Sequence, residues 1–193
     1  MRYDRMTRWL HASIALGVIA QLGLSLLMEA PDDQEEELVT GFPLQLFEAH
    51  EYIGIALLAI LVLHWLWSLS GHVQGGAGHL FPWFSRERMG KVIADVREIA
   101  KFNFPDPEVR NDLAGAVHGL GLLVATAMAA TGLVIFFNLS ETGHITELGK
   151  TFHEIHETLA PLMWAYLFGH VFVAVIHKRL GHGNVKDMFS LLK

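Results

Sequence analysis

Twelve histidines and no cysteine in 193 residues set the chemistry this chain can do. His50 and His64 lie 14 residues apart, and so do His156 and His170. In an α-helix 14 residues rise ~21 Å and, at ~100° each, return to nearly the same face. Each pair therefore presents two imidazoles on one side of a helix, at two levels. Two such helices facing each other can hold two flat macrocycles, one above the other. Neutral imidazole is a good iron ligand, and an iron porphyrin with two axial imidazoles keeps no open coordination position, which suits electron transfer better than oxygen binding. The lack of cysteine excludes disulfides, zinc-thiolate sites, iron–sulfur ligation and covalent c-type haem attachment. Zinc and non-haem iron fit such a histidine set poorly.

A flat ring stacked beside a histidine needs a small neighbour one helical turn along. Gly54 follows His50 at that offset, Ala160 follows His156, Ala174 follows His170 and Ala15 follows His11. Ser68 stands in the same relation to His64, whereas His118 is followed by Leu122. Small residues are also common where membrane helices pack, so the support is modest.

These histidines must be carried by membrane helices. Hydrophobic residues make up 52% of the chain and charged residues 18%, against about 25% charged in soluble domains. Four continuous apolar runs, about 9–28, 50–70, 113–137 and 159–177, reach the ~20 residues that a bilayer crossing needs. Only helices or closed barrels satisfy the backbone in hydrocarbon, and continuous rather than alternating runs predict helices. His11, His50, His64, His118, His170 and His177 lie in these runs or at their edges, and an intramembrane histidine is a functional hypothesis by default.

Thirteen of the fourteen Lys and Arg residues fall before the first run, between the second and third, or after the fourth; the other two connections hold only Lys150. That asymmetry puts both termini and the long middle loop in the cytoplasm. The net charge of −6 argues against nucleic acid as a partner. The first outer loop holds Asp32, Asp33, Glu35, Glu36 and Glu37, a solvated cluster or a patch for a basic periplasmic partner. The first run is too long for a cleaved signal peptide and lacks a small-x-small site, so it is expected to stay as an anchor.

In the middle loop a glycine-rich stretch, Gly71 to Gly78, precedes Ser85, which reads as an N-cap. Met89, Val92, Ile93, Val96, Ile99 and Ala100 then recur at helical spacing. Arg86, Arg88, Lys91, Arg97 and Lys101 lie mostly on the other face. This predicts an amphipathic helix over about 85–102, lying at the cytoplasmic interface or packed on a partner, and ended by Phe102, Pro105 and Pro107. The expected fold is all-α and integral to the membrane: a single domain over 1–193, a four-transmembrane-helix bundle with this additional interfacial helix between helices two and three.

Other patterns carry little. His153-Glu154-Ile155-His156 is one residue short of a zinc-protease motif. Asn138-Leu139-Ser140 is a glycosylation site by pattern only. Gly115 and Gly119 form a GxxxG, read as close packing, against a macrocycle edge, rather than as a dimer motif. Trp9, Trp65, Trp67 and Trp164 read as interfacial anchors.

Several segments together resemble the bacterial cytochrome b561 family, related to the b-type cytochrome subunits of nickel–iron hydrogenases and thiosulfate reductases. Tyr3-Asp4-Arg5 through Arg8-Trp9-Leu10-His11 is similar to the family's opening. His50-Glu51-Tyr52-Ile53-Gly54 resembles its HxxxG, and Thr131-Gly132-Leu133 its TGL in helix three. His156-Glu157-Thr158-Leu159-Ala160, followed by Gly169-His170, resembles its fourth helix. The resemblance covers nearly the whole chain. It implies two bis-histidine b haems, the outer held by His50 with His156 and the inner by His11 with His170. Arg5 and Arg8 would then meet inner-haem propionates. His64 departs from the family, many members of which carry arginine there. The alternative ligation, His64 with His170, would copy cytochrome b of the quinol–cytochrome c reductases. Spacing does not separate the two; the family motif favours His11. His118 resembles a position kept as histidine without being a ligand, and reads as hydrogen-bonding or packing. His153, His177 and His182 read as interfacial, and His72, His79 and His144 receive no assignment.

The resulting expectation is a multi-pass protein of the bacterial inner membrane that passes electrons between a quinone or quinol and a periplasmic or membrane redox partner. Glu51, Glu154 and Glu157, near the outer level, could take protons from quinol, or be exposed acids at helix ends. Two other classes remain: a stand-alone superoxide:quinone oxidoreductase, disfavoured by outer loops with a single lysine, and a non-redox scaffold or transporter with histidine sites.

Overall fold

The computed structural model describes residues 4–31, 39–70, 77–104 and 112–181. The acidic cluster Asp32 to Glu37 lies outside the described residues, as do the stretch 71–76 with His72, Pro105, Pro107, Arg110, His182, the tail lysines Lys186 and Lys193, and Arg2 and Tyr3. The described chain is helical: α1 Arg5–Leu24, α2 Phe42–Leu69, the short α3 Ala77–Leu80, a 3-10 turn Pro82–Phe84, α4 Arg86–Ala100, α5 Asp112–Phe136 and α6 Glu147–Arg179.

Three of these helices, α2, α5 and α6, are long and apolar enough to cross a membrane. α1 is not among them, because its 20 residues include Arg5, Arg8, His11 and Gln21. It also stops at Leu24, short of the Met28 at which the first apolar run ends. α2 begins at Phe42 rather than His50, and α6 at Glu147 rather than Leu159. Hydropathy marks only the apolar stretch of a helix, while capping marks its true end. At α6 the cap is Thr146, whose Oγ1 accepts from the Gly149 amide at 3.1 Å. Thr146 also donates to Asn138 Oδ1 at 2.7 Å, beside the bridge between Leu139 and Ile145. Asn138 therefore works as a loop brace.

α4 starts where the sequence predicts, with Ser85 Oγ accepting from the Arg88 amide at 3.4 Å. It ends at Ala100, before the prolines. Phe102 takes a left-handed φ of 61°, its amide bonds Ile99 O at 2.9 Å, and the Asn103 amide bonds Glu98 O at 3.0 Å. This is a Schellman cap, usually built on glycine. Val92 is buried, while Met89, Ile93 and Val96 remain exposed as a strip along the helix.

The chain forms two compact units, and each draws on all four long helices. The first combines Met1–Ala12, Leu63–Leu123 and Ala165–Lys193; the second combines Ser13–Val62 and Val124–Trp164. In the first unit Gly115 and Gly119 do serve close packing, but against main chain. A Cβ at either would collide with a carbonyl oxygen, that of His79 or of Leu80 respectively. The expected macrocycle edge is replaced there by backbone. Trp65 stacks on Phe81 at 5.7 Å, and Trp67 Nε1 donates to Thr7 Oγ1 at 3.2 Å, so both indoles also hold the first unit together. In the second unit Gly17 takes the Leu57 side chain against its backbone.

Candidate functional site

The second unit brings His50 of α2 and His156 of α6 together, with ring centroids 6.4 Å apart and planes at 79°. His156 is held from α5. Its Nδ1 lies 2.8 Å from Thr131 Oγ1, which is itself 2.9 Å from both Ala127 O and Met128 O. The hydroxyl has one proton, and two carbonyls compete for it. It therefore accepts from His156, which puts that ring's proton on Nδ1 and leaves Nε2 with a bare lone pair. The adjacent Gly132 makes room: a Cβ there would sit 3.4 Å from His156 Cε1. His50 Nδ1 is buried with no hydrogen-bond partner among the described residues. Its carbonyl accepts from Gln21 Nε2 at 2.8 Å. The same amide lies over Gly54, 2.6 Å from where a Cβ would be. The space that Gly54 opens thus receives the end of the Gln21 side chain.

The first unit gathers His11 of α1, His118 of α5 and His170 of α6, one ring nitrogen of each within 4.8 Å of the others. His11 and His170 have centroids 6.2 Å apart; His118 lies 5.4 Å from His170 and 6.3 Å from His11. Tyr166, one turn before His170, stacks on its ring at 5.5 Å and 14°. Gly121 admits that phenol, since a Cβ there would overlap Tyr166 Cζ and Oη. His64 Nδ1 pairs with Ser68 Oγ at 3.3 Å. Arg8, one turn before His11, is 4% exposed, a buried cation beside the cluster's own helix.

Both two-histidine spacings test the fit to a metal macrocycle. An imidazole nitrogen binds a metal ion at about 2 Å, so two rings on opposite sides of one ion have centroids about 6 Å apart. His50 with His156 matches that separation in one unit, and in the other His11 matches it with both His170 and His118. Neutral nitrogen donors, low polarity and a bare His156 Nε2 would suit the iron of a porphyrin.

A family model described as prokaryotic cytochrome b561 matches residues 2–191. The chain belongs to the prokaryotic cytochrome b561 family. No curated protein and no solved structure matches it. As a cytochrome b561 it is a membrane protein of b-type haem electron transfer.

In this cytochrome b561 three residues at the histidines are not picked out by histidine spacing. Thr131 has a signal of its own in the sequence, a threonine one step before glycine in an apolar helix, and Gln21 has another, a lone amide in an apolar run. Tyr166 stands four residues before His170, the offset at which Ala174 stands after it. Glu154 and Glu157 are exposed on α6, Glu157 lying 3.8 Å from His153 Nδ1, and Glu51 is half-buried on α2.

Proposed function

We propose that this cytochrome b561 is a four-helix, di-haem electron conduit, one membrane domain over 1–193 with α1 as its fourth span. His50 and His156 hold one haem, His11 and His170 the other; the observation that carries this is that each unit gathers histidine rings at the separation one iron ion needs, and the family motif favours His170 over His118 as the partner of His11. Bound haem supplies one-electron iron chemistry. The chain's residues do the rest: Thr131 fixes the His156 tautomer, Tyr166 holds the plane of His170, and buried Arg8 offers a propionate a charged donor. His64, whose Nδ1 lies 3.3 Å from Ser68 Oγ, is outside this pairing, as the family motif favours His11.

The electrons run between a quinone pool and a periplasmic or membrane redox partner, in the bacterial inner membrane with both termini cytoplasmic. The Lys and Arg placement supports that orientation. α4 lies on the cytoplasmic lipid surface, its exposed Met89, Ile93 and Val96 toward the acyl boundary and Arg86 and Arg97 toward headgroups. The test is a reduced-minus-oxidised spectrum with pyridine haemochrome quantification on the purified chain. Two b haems per chain are expected, falling to one in His50→Ala, His156→Ala, His11→Ala and His170→Ala. A colourless chain, or unchanged content in those variants, refutes the reading.

A further inference from the structure

The first unit contains an imidazole and a carboxylate that the proposed electron path does not use. His79, on α3, has its ring against Gly115 of α5: a Cβ at Gly115 would lie 2.9 Å from His79 Cε1 and 3.0 Å from Nδ1. One turn toward the start of α5, Asp112 Oδ1 lies 3.9 Å from His79 Nδ1. One turn the other way stands His118. Asp112, Gly115 and His118 are three residues apart in succession, a rise of about 4.5 Å per step. Asp112, the His79 ring and His118 thus follow one another along the rise of α5, Asp112 and His118 being turned about 120° apart around it. His118 lies 5.4 Å from His170. The outer members reach solvent: the His79 side chain is 25% exposed and that of Asp112 14%.

We propose that His79 and Asp112 form a proton port for the His11/His170 level, taking up a proton when an electron arrives there and releasing it when the electron leaves. This rests on the reading of His11 and His170 as axial ligands. One electron from a quinol or reduced partner protein, which is oxidised, lowers the charge of that level by one. His79 gains one proton from water at its exposed edge, beside the carboxylate of Asp112, and the added charge is offset. His118 lies between His79 and the ligand pair and transmits the coupling. Among the described residues, three charged groups of α4 bear on the port. Arg88 of α4 lies over Gly78, its Nη1 2.7 Å from where a Cβ would be, and disfavours a second positive charge. The Asp112 carboxylate favours the charge of Lys91 and disfavours that of Asp95, both on α4. Among the described residues of this unit, His79 is the histidine set against a half-buried carboxylate, and an unperturbed imidazole titrates between about pH 5 and 8.

The test is the midpoint potential of each haem against pH, from 5.5 to 8.5, in the full-length protein, with haem content measured on the same samples. In the unaltered chain the haem lost in His170→Ala should show a potential that falls as pH rises. The upper limit is about 59 mV per unit, the tenfold factor for a one-electron couple. His79→Asn should hold both haems and flatten that slope, leaving the His50/His156 haem unchanged. Asp112→Asn should move the sloping region to lower pH, because loss of the carboxylate disfavours protonated His79. An unaltered slope in His79→Asn overturns the port. If His79→Asn does not retain haem, an unaltered profile in Asp112→Asn overturns it instead. Haem in full amount with a flat slope refutes the port alone; a colourless chain refutes the ligand reading beneath it.

Discussion

Replacing Thr131 by valine keeps the shape of the side chain and removes the hydroxyl that holds His156. That oxygen is 6% exposed by residue, 2.8 Å from His156 Nδ1 and 2.9 Å from two backbone carbonyls of its own helix. The carbonyls keep their helical partners in the variant, so they lose little. The Nδ1–H loses its hydroxyl acceptor at a buried position, which costs about 1–3 kcal/mol. The ring is then free to rotate or to move its proton to Nε2, which withdraws the lone pair from the ligand position. Loss of such a partner typically weakens metal binding about 10–100-fold. The haem proposed at His50 and His156 should therefore leave about 10–100 times faster than in the unaltered protein. Transfer of haem to an excess of an apo-globin, followed by absorbance, measures that rate for each haem. Thr131→Ser, which keeps the oxygen, should behave like the parent. Equal release from Thr131→Val and parent would show that the hydroxyl does not orient the ligand, and the tautomer argument would fail.

Four further outcomes are expected. His64→Ala should keep both haems while His11→Ala keeps one; the reverse, read by pyridine haemochrome, would move the ligand role to His64. Gly119→Ala places a methyl against Leu80 O, backbone that cannot rotate away, and should cost about 1–3 kcal/mol, seen as a lower Tm in detergent. Ser85→Ala removes the cap of α4 and should cost about 1 kcal/mol, read as faster amide exchange in its first turn with haem content unchanged. Tyr166→Leu removes the ring stacked on His170 and should alter the low-spin electron paramagnetic resonance signal of one haem only; two unaltered signals would show that the stack does not set the ligand plane.

Much of this protein was legible along the chain, because a helix relates residues to one another by a fixed rise and rotation. The 14-residue repeats of His50 with His64 and His156 with His170, the cap at Ser85 and the apolar runs are all relations within one helix. They need no knowledge of a neighbour. Tertiary structure decided what crosses from one helix to another. It set Thr131 under His156, Gln21 over Gly54, and the backbone of His79 and Leu80 into the notches at Gly115 and Gly119. It also drew His118 in beside His11 and His170 and left His64 with Ser68. Each of these depends on how far one helix is turned and slid against the next. A shift of one residue rotates a side chain by about 100°, and hydrophobic pattern alone does not specify that setting among helices that are apolar nearly all round.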